Sequence, residues 1–378
     1  MRLLLTGGGT AGHVNPALAI AETFMTREDT EVLFVASCEP RDKAEDLVRA
    51  AGYPLKKVHI CGMHRPMWSP KNIKTLYLMG RSRGEAKKII REFRPDLIVG
   101  TGGYACWPIV SAGADMGIPT AVHESNAKPG KAIMQVRHKV DQILINFPQT
   151  AEQLSLKDGD RRVCRVGNPH MEGFSTVTRK EARRKLGLTD DQVYVVSFGG
   201  SLGAETVNDA VLDMMKQLSG RYPRLVCLHA AGKRDYSRMK NTFDGLCLGS
   251  RMRLVEYIYD MPVQMQAADI VISRAGAMSI SELALTGKAA VVIPSPYVAD
   301  QHQLKNAQAL SRKTAGVCVE EQTLADGRLT DEVRDLLDHP AKREDMGRRI
   351  REGFAVPDAN ERIYNELKKL CREKETKA

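Results

Sequence analysis

The chain has 378 residues, of which 43% are hydrophobic and 27% charged, a composition that predicts two or three folded domains and excludes a disordered or fibrous protein. No apolar run reaches the roughly 18 residues of a membrane span, and the short apolar start at 1–6 is not expected to be a signal peptide. Eight dispersed cysteines without a C-x-x-C pair predict reduced thiols in a cytosolic protein, and the net charge of +10 favours phosphorylated or anionic partners.

Apolar runs of strand length alternate with helical patterns along most of the chain. The clearest predicted strands span residues 2–6, 31–36, 97–101, 120–123, 142–145, 193–198, 225–230, 270–273 and 289–294. This alternation is typical of βαβ units and predicts doubly wound parallel sheets. A stretch rich in Gly, Pro and Thr at 166–178 predicts a boundary between domains at 1–168 and 169–356. A last helical segment, 357–378, is expected to pack back on the first domain.

The first predicted strand runs into the glycine turn "GGGTAGH". Gly7, Gly9 and Gly12 satisfy G-x-G-x-x-G, a turn whose backbone N–H groups and following helix bind a diphosphate. NAD, FAD, a nucleotide sugar or a simple tight turn all fit this motif. An NAD site needs an acid at the end of the second strand, and Glu39 comes late for that role. His13 distinguishes the turn, because an imidazole beside a ligand can take a proton.

Polar residues also follow several later predicted strands. The segment "VYVVSFGGSLGAETVN" at 193–208 repeats the strand, glycine turn and helix of the opening. Similar polar or glycine clusters occur in "GTGGYACWP" at 100–108, "AVHESNAKPG" at 121–130, the start of 273–294, and "DQHQLKNA" at 300–307. Each residue alone is more typical of a cap or turn. Together they predict ligand binding at the carboxyl ends of the strands of two Rossmann-like domains.

Basic and apolar residues are mixed between 63 and 96. This segment holds nine Lys and Arg against three Asp and Glu, interleaved with residues such as Met67, Trp68 and Tyr77. Such a mixture favours contact with an anionic membrane surface over nucleic acid, which is not an expected partner. The alternative is a solvated helix face above ordinary core residues.

The assembled motifs resemble the MurG family of UDP-N-acetylglucosamine transferases, within glycosyltransferase family 28. The resemblance runs from residue 3 to about 360. It covers GGT-x-GH, GGY, HE-x-NA-x-PG, GNP, GGS-x-GA, R-x-GA-x-x-x-SE and the late Q-x-x-NA helix. It implies an α/β GT-B fold, in which two Rossmann-like domains face a cleft. The implied reaction moves GlcNAc from UDP-GlcNAc to lipid I, undecaprenyl-diphospho-MurNAc-pentapeptide, on the cytoplasmic face of the plasma membrane.

The resemblance also implies roles for individual residues. In the second domain, Ser201 would meet the diphosphate, the Ile258 backbone the uracil, Glu282 the ribose and Gln303 the GlcNAc. The remaining donor contacts would come from Ala277, Met278, Ser279, Ile280 and Ser281 around the nucleotide, Asn126 on the sugar, and Thr10, Ala11 and Gly12 closing from the first domain. The candidate residues near the cleft and acceptor are Tyr104, His123, Asn208, Arg274 and His302. Lipid I would approach along the basic segment, and other cell-wall synthesis proteins are candidate partners.

Three positions depart from the family pattern. Met171 stands where an arginine often follows GNP, Ile133 replaces an asparagine, and His302 replaces one glutamine of the pair before Gln303. These departures bear on individual predicted ligand contacts more than on the resemblance to the family. Three other functions remain open on the sequence: a lipid glycosyltransferase with another acceptor such as diacylglycerol, a non-catalytic sugar-nucleotide-binding subunit, and an NAD-dependent enzyme.

The implied chemistry is inverting displacement of UDP by the MurNAc 4-hydroxyl. His13 is the first candidate for the base that accepts the hydroxyl proton, and Glu124 is the second. The alternative for His13 is a capping or acceptor-binding role. Helix N-termini and glycine-turn amides meet the charge of the leaving group. No cofactor is therefore expected; a divalent metal is compatible with the reaction, but the sequence implies no metal site.

Overall fold

The computed structural model describes residues 1–39, 42, 44–62, 71–157, 159–171, 173–200, 203–298 and 301–376. Contacts divide the chain into two compact units. The N-terminal unit comprises Met1–His170 with Asp358–Ala378, and the C-terminal unit comprises Met171–Pro357. The limits predicted from the sequence are 168 and 356.

The N-terminal unit is built on a parallel sheet. Its strands are β1 (Arg2–Thr6), β2 (Glu31–Ser37), β3 (Leu55–Val58), β4 (Leu97–Gly100), β5 (Thr120–Glu124), β6 (Gln142–Ile145) and β7 (Val163–Arg165). Its helices are α1 (Ala11–Met25), α2 (Ala44–Ala50), α3 (Lys71–Phe93), α4 (Cys106–Asp115), α5 (Lys131–Val136), α6 (Thr150–Gln153) and, from the end of the chain, α16 (Ala359–Glu375). The strand order is β3-β2-β1-β4-β5-β6-β7, and each neighbouring pair is parallel.

Alternation along β1 explains why this sheet is covered on both faces. Leu3 and Leu5 pack with α1 and α16, whereas Leu4 faces the other core cluster, with α3 and α4. The C-terminal helix α16 therefore completes one face of the N-terminal unit. Its Tyr364 ring lies 5.0 Å from the ring of Phe24 in α1.

The C-terminal unit repeats this architecture. Its strands are β8 (Val193–Phe198), β9 (Leu225–Ala230), β10 (Met252–Val255), β11 (Ile270–Arg274), β12 (Ala289–Ile293) and β13 (Val317–Cys318). Its helices are α7 (Gly173–Thr176), α8 (Arg179–Leu186), α9 (Glu205–Ser219), α10 (Tyr236–Gly245), α11 (Met261–Ala267), α12 (Ala277–Thr286), α13 (His302–Ser311), α14 (Arg328–Asp338) and α15 (Pro340–Phe354). The parallel sheet has the order β10-β9-β8-β11-β12-β13.

In both sheets the chain order reverses beside the first strand, between β1 and β4 and between β8 and β11. Ligands of open α/β sheets bind at such switch points. A glycine turn follows each first strand, and the last of its consecutive glycines is left-handed, with φ of +82° at Gly9 and +101° at Gly200. Glycine adopts this conformation without the steric cost that a side chain adds. The fold thus places one candidate ligand turn in each unit.

Candidate functional site

A pocket of about 420 Å³ opens in the C-terminal unit. Its walls come from segments that follow β8, β11, β12 and β13, together with the first turns of α9 and α13. The lining residues are Gly199, Gly203, Ala204, Glu205, Thr206, Arg274, Ser295, Tyr297, Val298, Gln303 and Glu321. The pocket therefore lies at the switch point where the topology predicts a ligand.

A nearly buried ion pair forms part of the pocket wall. Arg274 Nη1 lies 2.5 Å from Glu321 Oε2, and the two side chains are 14% and 9% exposed. Thr206 donates a hydrogen bond of 2.6 Å to Glu321 Oε1. This cluster joins the end of β11, the first turn of α9 and the segment after β13 around the pocket.

Helix α13 brings Gln303 to the same pocket. The Ser295 N–H donates a hydrogen bond of 2.8 Å to Gln303 Oε1, which fixes the orientation of this amide. Asn306, one turn later and fully buried, donates to the Ala275 carbonyl at 3.1 Å and so ties α13 to the turn before α12. His302 is the first residue of α13 and is partly buried.

Helix α12 presents its N-terminus beside this wall. Ile280 makes the first intrahelical bond, to the Gly276 carbonyl at 3.0 Å, so α12 presents the N–H groups of its first turn at its N-terminus. Glu282 follows in the second turn and is partly buried. Burial raises the pKa of the Glu282 carboxyl to about 8. The Glu282 carboxyl makes no hydrogen bond or ion pair with the residues that the structure describes, so its acceptor oxygens are available to a ligand.

Ile258 lies in the loop between β10 and α11. Its side chain is buried, and within the described part of the chain neither its N–H nor its carbonyl forms a hydrogen bond. The flanking Tyr257 and Tyr259 are 47% and 88% exposed, and their ring centroids are 5.0 Å apart in an edge-on arrangement. The loop can therefore offer one backbone donor and one acceptor to a planar base.

In the N-terminal unit, the ends of β1 and β4 fix His13. Its Nδ1 lies 3.0 Å from the Thr101 carbonyl, and Thr101 Oγ1 donates to the His13 carbonyl at 2.6 Å. Gly102 has φ of +108°, and a Cβ there would lie 2.6 Å from His13 Nδ1. Since a carbonyl only accepts, Nδ1 carries the hydrogen, and Nε2 is the basic nitrogen of the neutral ring. The nitrogen of His13 that can accept a proton is therefore Nε2.

Three other predicted site residues of the N-terminal unit are exposed. Thr10 and Gly12 are exposed at the start of α1, whose first residue is Ala11, and Tyr104, in the glycine-containing loop that follows β4, is 49% exposed. Their exposure leaves them accessible to a ligand, and their predicted contacts stay predictions.

His123 and Glu124 end β5 but are buried. His123 Nε2 donates to the Gly167 carbonyl at 2.9 Å, and burial lowers the pKa of this histidine to about 4. Glu124 accepts hydrogen bonds from the N–H groups of Asn126 and Gly130 at 2.9 and 2.7 Å, and from Asn126 Nδ2 at 3.1 Å. This geometry favours a structural role over the predicted acceptor contact of His123 and the predicted base role of Glu124. Asn126, partly buried, orders the same loop.

Asn208 is fully buried near the turn that follows β8. Its Nδ2 donates to the Ala231 carbonyl at 2.9 Å and to Asp235 Oδ2 at 2.7 Å. Its Oδ1 accepts from His229 Nε2 at 3.1 Å. Burial lowers the pKa of His229 to about 4, so the ring is neutral. The network holds α9 against the loop after β9, which favours a structural role for Asn208 as well.

The comparisons with known proteins agree with this architecture. The glycosyltransferase family 28 N-terminal domain model matches residues 3–145, and the C-terminal domain model of the same family matches residues 194–363. The chain belongs to glycosyltransferase family 28.

Family 28 relatives match over nearly their full length. The chain is 36% identical to the "UDP-N-acetylglucosamine--N-acetylmuramyl-(pentapeptide) pyrophosphoryl-undecaprenol N-acetylglucosamine transferase" of Acetivibrio thermocellus, over 99% of each chain. It is 37% identical to the protein of the same name from Geobacter sp., over 96% of this chain and 94% of the relative.

Solved structures show the same fold. Acinetobacter baumannii MurG superposes with a TM-score of 0.77 at 23% identity, over 97% of this chain and 99% of that one. The S. aureus MnaA–UDP co-structure gives a TM-score of 0.66 at 13% identity, over 97% and 96% of the two chains. Both likenesses concern the fold alone, which is GT-B.

The positions that depart from the family pattern lie in different environments. Ile133 is 1% exposed and belongs to the core around α5, so its substitution for asparagine fills the interior. Met171 is 60% exposed. Ser201, and residues 63–70 of the basic segment, lie outside the described residues.

Sequence reasoning missed two acidic residues. Asp42 accepts a hydrogen bond of 2.7 Å from the Gly9 N–H and another of 2.6 Å from Ser37 Oγ. Glu321 pairs with Arg274 in the pocket. Asp42 lies in a polar loop and Glu321 begins a short 3-10 helix, Glu321–Thr323. Neither belongs to a motif, so no sequence pattern indicates either contact. Among the described residues, no three His, Cys, Asp or Glu side chains come together as a metal site.

Proposed function

We propose that this family 28 enzyme transfers GlcNAc from UDP-GlcNAc to the 4-hydroxyl of MurNAc in lipid I, which makes lipid II for peptidoglycan. The observation that carries this function is the match to relatives of that name at 36% identity over 99% of both chains. The enzyme is a UDP-GlcNAc-dependent hexosyltransferase. The donor pocket and the fixed histidine supply the two chemical requirements of such a transfer, a held leaving group and a base.

The C-terminal unit offers a set of contacts for each part of the donor. Among the described residues, the Ile258 backbone and the Glu282 carboxylate have no hydrogen-bond partner. The first suits the uracil edge, and the second suits the two ribose hydroxyls. Arg274 and the glycine turn after β8, which continues into Ser201, suit the diphosphate. Gln303, whose amide is fixed by Ser295, suits the GlcNAc hydroxyls. Donor affinity would thus come from main-chain groups and a few polar side chains around one pocket.

The reaction forms one carbon–oxygen bond, breaks another and moves one proton. The MurNAc 4-oxygen attacks the anomeric carbon of GlcNAc from the face opposite the diphosphate, and the bond from that carbon to the diphosphate oxygen breaks. The product is a β-1,4 linkage with inversion, and UDP leaves with the bonding electrons. His13 Nε2 accepts the hydroxyl proton, because its Nδ1 is committed as a donor to the Thr101 carbonyl.

The charge that develops on UDP requires electrostatic stabilisation. The N-termini of α9 and α12 and the Arg274 guanidinium supply positive potential at the donor pocket. We infer that transfer needs no divalent metal. Full activity after dialysis against a chelator supports this inference, and activity restored only by added Mg²⁺ or Mn²⁺ contradicts it.

Association with the membrane is a further part of the proposal. No helix in the described residues is both long and apolar enough to cross a bilayer. The described part of α3 exposes Tyr77, at 68%, together with Arg81 and Lys88, while its opposite face, with Ala86 and Ile90, is buried in the core. Peripheral binding to the anionic cytoplasmic leaflet would bring the enzyme to lipid I. Sedimentation with vesicles that contain phosphatidylglycerol, against neutral vesicles, tests this step.

The function is tested by an acceptor assay with the purified protein. Lipid I and diacylglycerol are each incubated with UDP-GlcNAc, and both UDP release and lipid products are measured. We expect product with lipid I alone. Transfer to diacylglycerol instead would assign another lipid glycosyltransferase, and the absence of any UDP release with lipid I would assign a non-catalytic binding subunit.

A further inference from the structure

The pocket proposed to bind the donor diphosphate, which is negatively charged, contains the carboxylate of Glu321. Glu321 lines the pocket together with the glycine turn and Arg274. A carboxylate in an anion site opposes binding, since like charges close together at low dielectric repel strongly. The side chain is only 9% exposed, so solvent screens it little.

Both oxygens of this carboxylate are engaged from within the protein. Oε2 accepts from Arg274 Nη1 at 2.5 Å, and Oε1 accepts from Thr206 at 2.6 Å. Arg274 Nη1 also points to the Ile293 carbonyl, at 3.4 Å. The guanidinium is therefore held by one nitrogen, while Nε and Nη2 form no hydrogen bond or ion pair with the described residues. A guanidinium has a fork of donors that suits phosphate oxygens, and the unused edge of Arg274 is such a fork.

We infer that Glu321 is a positioning residue that acts on the diphosphate subsite through Arg274. It offsets the charge of Arg274, which weakens the hold of the pocket on the diphosphate and lets the product UDP leave. The inference rests on the proposed function, because it assumes that the pocket takes a nucleoside diphosphate.

The decisive experiment compares UDP with uridine, which lacks the phosphates. Dissociation constants are measured by calorimetry for the native protein, Glu321→Gln and the matched control Glu320→Gln. Glu320 is the preceding residue, is exposed and lies outside the pocket lining, so its variant removes the same charge without touching Arg274. We expect Glu321→Gln to bind UDP about tenfold more tightly, with uridine affinity unchanged, and Glu320→Gln to behave as the native protein.

Thermal unfolding gives an independent readout. Glu321→Gln leaves a buried guanidinium without its counter-ion, so the melting temperature of the free variant falls and the stabilisation by UDP increases. If Glu321→Gln does not fold, Glu321→Asp, which withdraws the carboxylate by one methylene, should tighten UDP about twofold.

The outcomes separate this inference from the proposed function. Unchanged or weaker UDP binding by folded Glu321→Gln overturns the inference, and so does an equal change in uridine affinity. A native protein that binds neither UDP nor uridine overturns the proposed function instead.

Discussion

The two glycine turns occupy equivalent places in similar sheets, but the charged groups beside them differ. In the N-terminal unit, the Gly9 N–H is bonded to the Asp42 carboxylate at 2.7 Å. In the C-terminal unit, the turn after β8 lines a pocket with the Arg274 guanidinium. A diphosphate would meet the Asp42 carboxylate in the first turn, and the Arg274 guanidinium with its partner Glu321 in the second. The comparison indicates that a glycine turn alone does not make an anion site. The charged side chains beside the turn determine whether it favours an anion.

The predicted site residues of the two units also differ in whether their polar atoms already have hydrogen-bond partners. In the N-terminal unit, the polar atoms of His123 and Glu124 form hydrogen bonds with backbone groups of the same unit. In the C-terminal unit, Glu282 and the Ile258 backbone have polar atoms without partners among the described residues. The C-terminal unit is thus prepared for a polar ligand, whereas in the N-terminal unit we assign the chemistry to His13.

The largest effect is expected at His13. His13→Ala removes the proposed base and should lower turnover about 100-fold or more. His13→Asn is the matched variant, because its amide nitrogen can replace Nδ1 as donor to the Thr101 carbonyl while offering no base. Steady-state assays with lipid I should show the same loss for both variants, with an unchanged melting temperature for the asparagine variant. A loss below tenfold with an unaltered pH profile would reject the base role.

A smaller effect is expected at Glu282. Glu282→Gln should weaken UDP binding about tenfold, since a charged acceptor for the ribose hydroxyls is lost. For a UDP analogue without the 2′-hydroxyl, the affinities of Glu282→Gln and the native protein should differ by less than they do for UDP. Equal differences for both ligands would show that Glu282 does not contact the 2′-hydroxyl.

The pH dependence of Glu282 sharpens the same test. Ribose hydroxyls favour the ionised carboxylate, so UDP binding near pH 7 should release a proton, and affinity should rise as pH approaches the pKa of about 8. Calorimetry in two buffers of different ionisation enthalpy measures this proton. The folded pKa lies above the ordinary 4.5, so Glu282 lowers stability progressively between pH 4.5 and 8. Glu282→Gln should therefore unfold at a higher temperature than the native protein at pH 8.

The smallest effect on activity is expected at Glu124. Glu124 accepts hydrogen bonds from three N–H groups, and Glu124→Gln places an amide hydrogen against one of them. The free energy of unfolding should therefore fall by about 2 kcal/mol. Turnover of the folded protein should stay within tenfold, with the same pH profile. A loss above 100-fold without loss of stability would restore Glu124 as the base.

The sequence predicted the central strands of both sheets within one residue at each end. The four strands that it missed, β3, β7, β10 and β13, are the edges of the two sheets. Edge strands are short and only partly buried, as in β3, where Lys56 and Lys57 are exposed, so they lack the continuous apolar run that identifies a buried parallel strand.

Residue types and spacing located the glycine turns and His13, but they did not reveal burial or pairing. Asn208 carries an amide at a helix start, as a ligand contact would, yet it bonds inward to His229 and Asp235. Glu321 meets Arg274 across 47 residues of sequence. Such a contact follows from strand order, and no local pattern encodes it.

The most direct test is a crystal structure of this protein with UDP-GlcNAc. We predict uracil on the Ile258 backbone, the ribose on Glu282, the diphosphate against Arg274 and the turn after β8, and GlcNAc beside Gln303. A donor bound instead at the turn of Gly7 to Thr10, beside Asp42, would contradict the assignment of the donor site to the C-terminal unit.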